Sequence, residues 1–150
     1  MEHDIAVSAS VKFDLPSILQ IEQDSQPEPW TQKSFLEEIG RGSLFVARDA
    51  FRDVAGYICF WSVSDEIQIL NVAVRAQMRR RGIAGKLVAF ALRAGRLSRA
   101  KIAVLEVRKG NLGARRLYES LGFKITGERP GYYGKRSESA ILMERLIETE

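Results

Sequence analysis

Two stretches of this chain combine residue types and spacings that can do chemistry. The first is Val72-Ala73-Val74 followed by Arg79-Arg80-Arg81-Gly82-Ile83-Ala84-Gly85. An apolar strand leads into a turn of arginines and small residues, and an amphipathic helix begins there. A helix N-terminus offers backbone N–H groups without intrahelical acceptors and the positive end of a dipole. Small residues let an anion approach those groups, and arginines add attraction and bidentate contacts. Such a turn can hold a pyrophosphate. It is not a Walker loop, because no Gly-Lys-Ser/Thr follows, and it is not Gly-x-Gly-x-x-Gly. A solvated basic turn ahead of an amphipathic helix would use the same residues.

The second stretch carries Glu106 in Leu105-Glu106-Val107-Arg108, then Asn111, then Tyr118 in Leu117-Tyr118-Glu119-Ser120-Leu121-Gly122-Phe123. A carboxylate at the end of an apolar strand is costly unless paired, and burial in general raises a carboxyl pKa. That setting suits a general base, and a phenol on the next helix suits an acid. Glu106 would equally serve a structural ion pair with Arg108 or Arg75, Tyr118 a packed core and Asn111 a helix cap. Taken in order, the two stretches suggest transfer of a group from a phosphate-bearing carrier.

The elements that must position these residues follow from periodicity and punctuation. Ile5–Ser10 is a short strand. Asp14 caps a helix with Pro16 in its first turn and Leu15, Ile18, Leu19 and Ile21 as its apolar face. Pro27-Glu28-Pro29-Trp30 breaks that helix. Thr31 caps a second one, striped by Phe35, Leu36 and Ile39 and stopped at Gly40. Leu44–Ala47, Val54–Val63 and Glu66–Val74 are strands of an antiparallel meander, turning at Arg52-Asp53 and Ser64-Asp65. From Ile83 through Leu87, Phe90, Ala91 and Ala94 to Leu97 the period becomes helical. Ile102–Val107 is a strand covered on both faces. Asn111 caps a helix that Gly122 ends, and Phe123–Thr126 and Ser139–Leu146 are the last strands. The sum is an α+β domain with a mixed sheet.

The chain's 150 residues suit one domain, 1–150, with a substantial core. No apolar run approaches the ~20 residues of a membrane span. Met1-Glu2-His3-Asp4 does not begin a secretory signal. One cysteine, Cys59, and one histidine, His3, give no disulfide, no protein-built zinc site and no Cys–His nucleophile, which together suit a reducing cytoplasm. The net charge of +4 is unevenly spread. Between Ile67 and Leu105 there are nine lysines and arginines and no acidic residue, so the rest of the chain is net negative. A local positive field attracts a polyphosphate or a nucleic-acid backbone. Too few aromatics interleave with the arginines to favour nucleic acid.

On these residues the chain resembles the GCN5-related N-acetyltransferases (GNAT), and among them the ribosomal-protein-alanine N-acetyltransferases of the RimI type. The family's acetyl-CoA motif, Gln/Arg-x-x-Gly-x-Gly/Ala, is matched by Arg79-Arg80-Arg81-Gly82-Ile83-Ala84 after Asn71-Val72-Ala73-Val74. Similarity to the RimI type lies in Leu105–Arg108, Asn111, Leu117–Phe123, Tyr132-Tyr133, Ala140–Met143, Ile21-Glu22 and Pro29-Trp30-Thr31. The resemblance implies a GNAT fold, a mixed and mostly antiparallel sheet flanked by helices. It implies that Val72, Ala73 and Val74 pair their backbone with the pantetheine arm and that Arg79 to Gly85 cradle the pyrophosphate. It gives Asn111 a contact near the thiol, Glu106 the role of base and Tyr118 that of acid. Trp30, Tyr132 and Tyr133 would border the acceptor, or simply pack a helix turn and a strand end. The acceptor implied is the N-terminal amine, alanine's, of a ribosomal protein, acetylated by direct attack; a lysine or a small amine is the alternative. An α-amine near pKa ~7.7–8.0 needs less help from a base than a lysine near ~10.4. The basic segment Glu128–Arg136 departs from the more acidic RimI pattern and bears on substrate preference.

Overall fold

In the computed structural model, residues 4–133 and 138–148 are described, with only the backbone of Tyr132 and Tyr133. Strands β1 (Ala6–Ala9), β2 (Leu44–Arg48), β3 (Val54–Val63), β4 (Glu66–Val74), β5 (Ile102–Arg108), β6 (Lys124–Tyr133) and β7 (Glu138–Leu146) alternate with helices α1 (Leu15–Ser25), α2 (Gln32–Arg41), α3 (Ile83–Leu97) and α4 (Leu112–Ser120). The sheet order is β1-β2-β3-β4-β5-β7-β6. Pairs β1/β2, β2/β3, β5/β7 and β7/β6 are antiparallel, and β4/β5 is parallel. Among the described residues, no helix is long and apolar enough to cross a membrane.

The chain falls into two compact units. One comprises Met1–Trp61 with Asn71–Ala91, the other Ser62–Leu70 with Leu92–Glu150. In the first, Leu15, Ile18, Ile21 and Phe35 of α1 and α2 pack on Leu44, Val46, Tyr57, Cys59 and Ala73. Each fully buried large side chain of this kind contributes roughly 1.5–3 kcal/mol. Phe45 and Phe60 stack 5.2 Å apart, and Phe90 of α3 lies 4.8 Å from Phe45.

Thr31 caps α2 by accepting the Ser34 N–H at 3.1 Å. The helix runs past Gly40 to Arg41 and stops at Gly42, φ 73°, because termination needs a residue in the left-handed region. Asp14 does not cap α1. Its backbone is already helical, and its carboxylate instead accepts the Val11 N–H at 2.9 Å and pairs with Arg48 at 2.7 Å. That pairing holds the carboxyl below its ordinary pKa: burial opposes the shift, and the Arg48 and Val11 hydrogen bonds outweigh it.

In the second unit, Ala103, Leu105 and Val107 of β5 and Ala140, Ile141 and Met143 of β7 are buried. Gly95 lets α3 close on Ile67 and Ile147, where an added Cβ would meet side-chain atoms at 2.7 and 2.8 Å. Leu97, expected on the buried face, is 77% exposed. The buried stripe of α3 centres on Leu87, Val88, Ala91 and Gly95, and at ~100° per residue Leu97 is turned away from it. Strand β6 extends well beyond Thr126. Register shifts between Ile125 and Gly127 and between Arg129 and Tyr133 accommodate Gly127, Pro130 and Gly131 within the strand.

Candidate active site

The cofactor segment lies within the first unit. The parallel ladder with β5 runs from Glu66–Ile102 to Ile69–Leu105. Residues 71–74 lie beyond its last pair, so their backbone groups on that edge can take an added strand. Gly56 on β3 sets the line of this segment. A Cβ there would stand 2.7 Å from the Ala73 carbonyl oxygen and 3.3 Å from Val74 Cα. The Arg75 N–H donates to Ala55 O at 2.7 Å and holds the strand's end against β3.

The turn after β4 has the backbone an anion needs. Arg80 and Gly82 have φ of 64° and 75°. A non-glycine residue in the left-handed region is strained, and such strain concentrates at ligand clamps. The first helical bond of α3 runs from Lys86 N–H to Gly82 O at 3.1 Å. The N–H groups of Ile83, Ala84 and Gly85 precede it and have no acceptor within the helix. Arg79 turns back toward the strand, donating to Val74 O and to Ser25 Oγ, both at 3.1 Å. Arg81 donates to Met78 Sδ at 3.7 Å. Acetyl-CoA fits these residues: an extended arm can pair beside 72–74, and a pyrophosphate can meet the first N–H groups of α3 and the exposed Arg80.

Trp30, in the α1–α2 turn of the same unit, is half-buried. Its N–H donates to Glu22 Oε2 at 2.9 Å and its ring lies 5.3 Å from Phe35.

The second unit carries the candidate acid and base. Glu106 on β5 keeps 29% of its side chain exposed and pairs with Arg129 Nη2 at 3.0 Å. This replaces the partners read from the sequence. Arg108 pairs with Glu138 at 3.8 Å, and Arg75 with Asp49 at 3.3 Å. Glu106 lies opposite Leu142 of β7, and Arg129 of β6 opposite Ala140, so the guanidinium spans the intervening strand past a small residue. Tyr118 on α4 is buried edge-on to Phe123 at 5.9 Å. Burial pushes its phenol up to about 12. Asn111 caps α4, its Oδ1 accepting the Ala114 N–H at 3.1 Å, which leaves its amide as a donor. Tyr132 and Tyr133 lie at the end of β6 by backbone; their side chains, with Lys135 and Arg136, are outside the described residues.

Sequence reasoning missed Gly56, Ser25 and Arg129. A glycine in the middle of an apolar strand is a legible sign of close backbone approach. The Arg129–Glu106 pair depends on three-strand register and has no local signal.

The Acetyltransferase (GNAT) family model matches residues 15–123. The [ribosomal protein bS18]-alanine N-acetyltransferase of Salmonella typhimurium is 34% identical over 132 residues, covering 87% of this chain and 89% of that one. The crystal structure of Ard1 from Thermoplasma volcanium superposes with a TM-score of 0.89 at 31% identity, covering 97% of this chain and 99% of that one. That of the ribosomal-protein-S18-alanine N-acetyltransferase from Escherichia coli does so at 0.86 and 29%, covering 97% and 96%. With the family model spanning residues 15–123 and a relative 34% identical over most of both chains, this chain belongs to the GNAT family of acetyltransferases.

Proposed function

We propose that residues 1–150 act as one cytoplasmic domain that acetylates the N-terminal α-amine, alanine's, of a ribosomal protein. The observation that carries the chemistry is the turn after β4, with three N–H groups at the start of α3 that precede its first helical bond. The acceptor is supported by relatives of over 30% identity that act on the alanine of ribosomal protein bS18.

Acetyl-CoA supplies an acetyl group activated as a thioester. In this reading the backbone of Val72 to Val74 aligns the carrier's arm, and Arg80 to Gly85 hold its pyrophosphate. Glu106 takes the proton that the attacking amine sheds. Its exposed fraction gives a substrate access, and the Arg129 contact fixes one of its oxygens. Tyr118, a phenol protonated at neutral pH and kept so well into the alkaline range by burial, donates to the sulfur that leaves. The N–H groups near Val74 steady the developing oxyanion. Asn111 offers its amide near the thiol end, and Trp30, Tyr132 and Tyr133 border the acceptor.

Incubating the protein with acetyl-CoA and a panel of peptides tests this. A mass gain of one acetyl group on an Ala-ended peptide is expected. Modification confined to internal lysines or polyamines would instead establish the alternative acceptor class.

A further inference from the structure

Glu22, on α1, is 1% exposed. Its Oε1 accepts hydrogen bonds from the Tyr57 hydroxyl and from Asn71 Nδ2, the latter at 3.0 Å. Its Oε2 accepts the Trp30 N–H at 2.9 Å. Gln26 Nε2 donates to Asn71 Oδ1 at 3.4 Å and extends the network. Burying a carboxylate is costly, and these donors offset the cost. Stability alone does not call for such a group, since well-packed apolar residues commonly replace buried charged clusters without loss.

The donors come from three places. Tyr57 is on β3, Asn71 directly precedes the Val72–Val74 segment, and Trp30 belongs to the α1–α2 turn. An aromatic chain closes the same circuit, with Trp30 on Phe35 at 5.3 Å and Phe35 edge-on to Tyr57 at 5.6 Å. Burial, reinforced by Glu22's own charge, holds the Tyr57 phenol above its ordinary pKa, so it remains a donor.

We propose that Glu22 is a positioning residue that fixes the Trp30 turn relative to the acetyl-CoA strand, and so sets how the acceptor amine is received. This rests on the reading that Trp30 borders the acceptor. Glu22 touches neither substrate; it acts through Trp30.

A double-mutant cycle on steady-state kinetics tests it. Glu22→Leu is expected to raise KM for the acceptor peptide ~10-fold while KM for acetyl-CoA stays within about twofold. Glu22→Gln keeps an oxygen for the Trp30 N–H and an amide that Tyr57 can accept from, at the loss of the Asn71 Nδ2 acceptor, so its peptide KM is expected to stay within about threefold of wild type. Trp30→Ala raises the peptide KM similarly, and adding Glu22→Leu to it raises KM no further. Multiplying effects in the cycle, an acetyl-CoA KM that rises in step, or an unchanged peptide KM would each overturn the proposal. Should Glu22→Leu not fold, Tyr57→Phe, which removes one donor and keeps the ring, takes its place in the cycle. The acceptor used is whichever amine the wild type acetylates, so a wrong acceptor assignment and a wrong role for Glu22 are separately visible.

Discussion

At the scale of single residues, Tyr118 and Glu106 occupy opposite kinds of site. Tyr118 is buried and holds its proton to about pH 12. Glu106 is part-exposed and ion-paired. Tyr118→Phe and Glu106→Gln are therefore each expected to lower kcat, by about 10²–10⁴-fold if each group moves a proton in the transition state. Acetyl-CoA affinity should be kept in both, as read by calorimetry. The sign of the pH dependence follows from the raised phenol pKa. The acid form is complete below that value and is lost only as pH rises through it. Loss of Tyr118's proton then produces no fall in wild-type kcat between pH 7 and about pH 10. An alkaline fall near pH 9 that disappears in Tyr118→Phe would contradict the assignment. The strand and the helix that carry these two residues were legible in the sequence. The partner of Glu106 was not, because Arg129 reaches it across β7 and only the sheet register makes them neighbours.

At the scale of elements, the strand–turn–helix proposed to receive acetyl-CoA depends on two glycines for different physical reasons. Gly82 is needed for its φ of 75°, and among the described residues none beyond its chain neighbours comes within 4 Å of where its Cβ would be. Gly56 is needed for space, with the Ala73 carbonyl oxygen at 2.7 Å. Gly82→Ala is expected to weaken acetyl-CoA binding through a local backbone cost of about 1–2 kcal/mol and to move Tm by only a few degrees. Gly56→Ala is expected to weaken binding and also to lower Tm by about 5 °C or more, since overpacking costs roughly 1–3 kcal/mol. Thermal melts with and without acetyl-CoA separate the two, and equal Tm losses would refute the distinction. Elements with strong periodicity were legible nearly to the residue, β3 and β4 at their full lengths. Those bounded by tertiary demands were not. Gly40 lies inside α2 because Gly42 supplies the left-handed turn. Asp14 forgoes its cap because Arg48 competes for the carboxylate. Strand β6 continues past Pro130-Gly131 because β7 pairs with it on either side, at Arg129 and Tyr133.

At the scale of the whole molecule, charge rather than packing distinguishes this chain. Its net charge is +4, yet the stretch from Ile67 to Leu105 carries nine cations and no acid, and five of them, Arg75, Arg79, Arg80, Arg81 and Lys86, lie in or beside the turn proposed to receive acetyl-CoA. That stretch includes Arg79 to Arg81 at the start of α3, where the dipole adds to their positive field. Acetyl-CoA is polyanionic, whereas an Ala-ended, C-terminally amidated peptide without charged side chains presents only its ammonium group. Raising ionic strength from about 0.1 to about 1 M shortens the screening length from about 10 Å to about 3 Å. KM for acetyl-CoA is then expected to rise several-fold, mainly through slower association, with a much smaller change in KM for the peptide. Replacing Arg80 by Gln should lower the affinity at low salt and flatten the salt dependence, because one contributor to both the field and the contact is gone. If the two substrates' KM values respond equally to salt, or if Arg80→Gln leaves the slope as it was, the acid-free stretch is not an attractor for acetyl-CoA. The pyrophosphate would then be held by the N–H groups of Ile83, Ala84 and Gly85 alone.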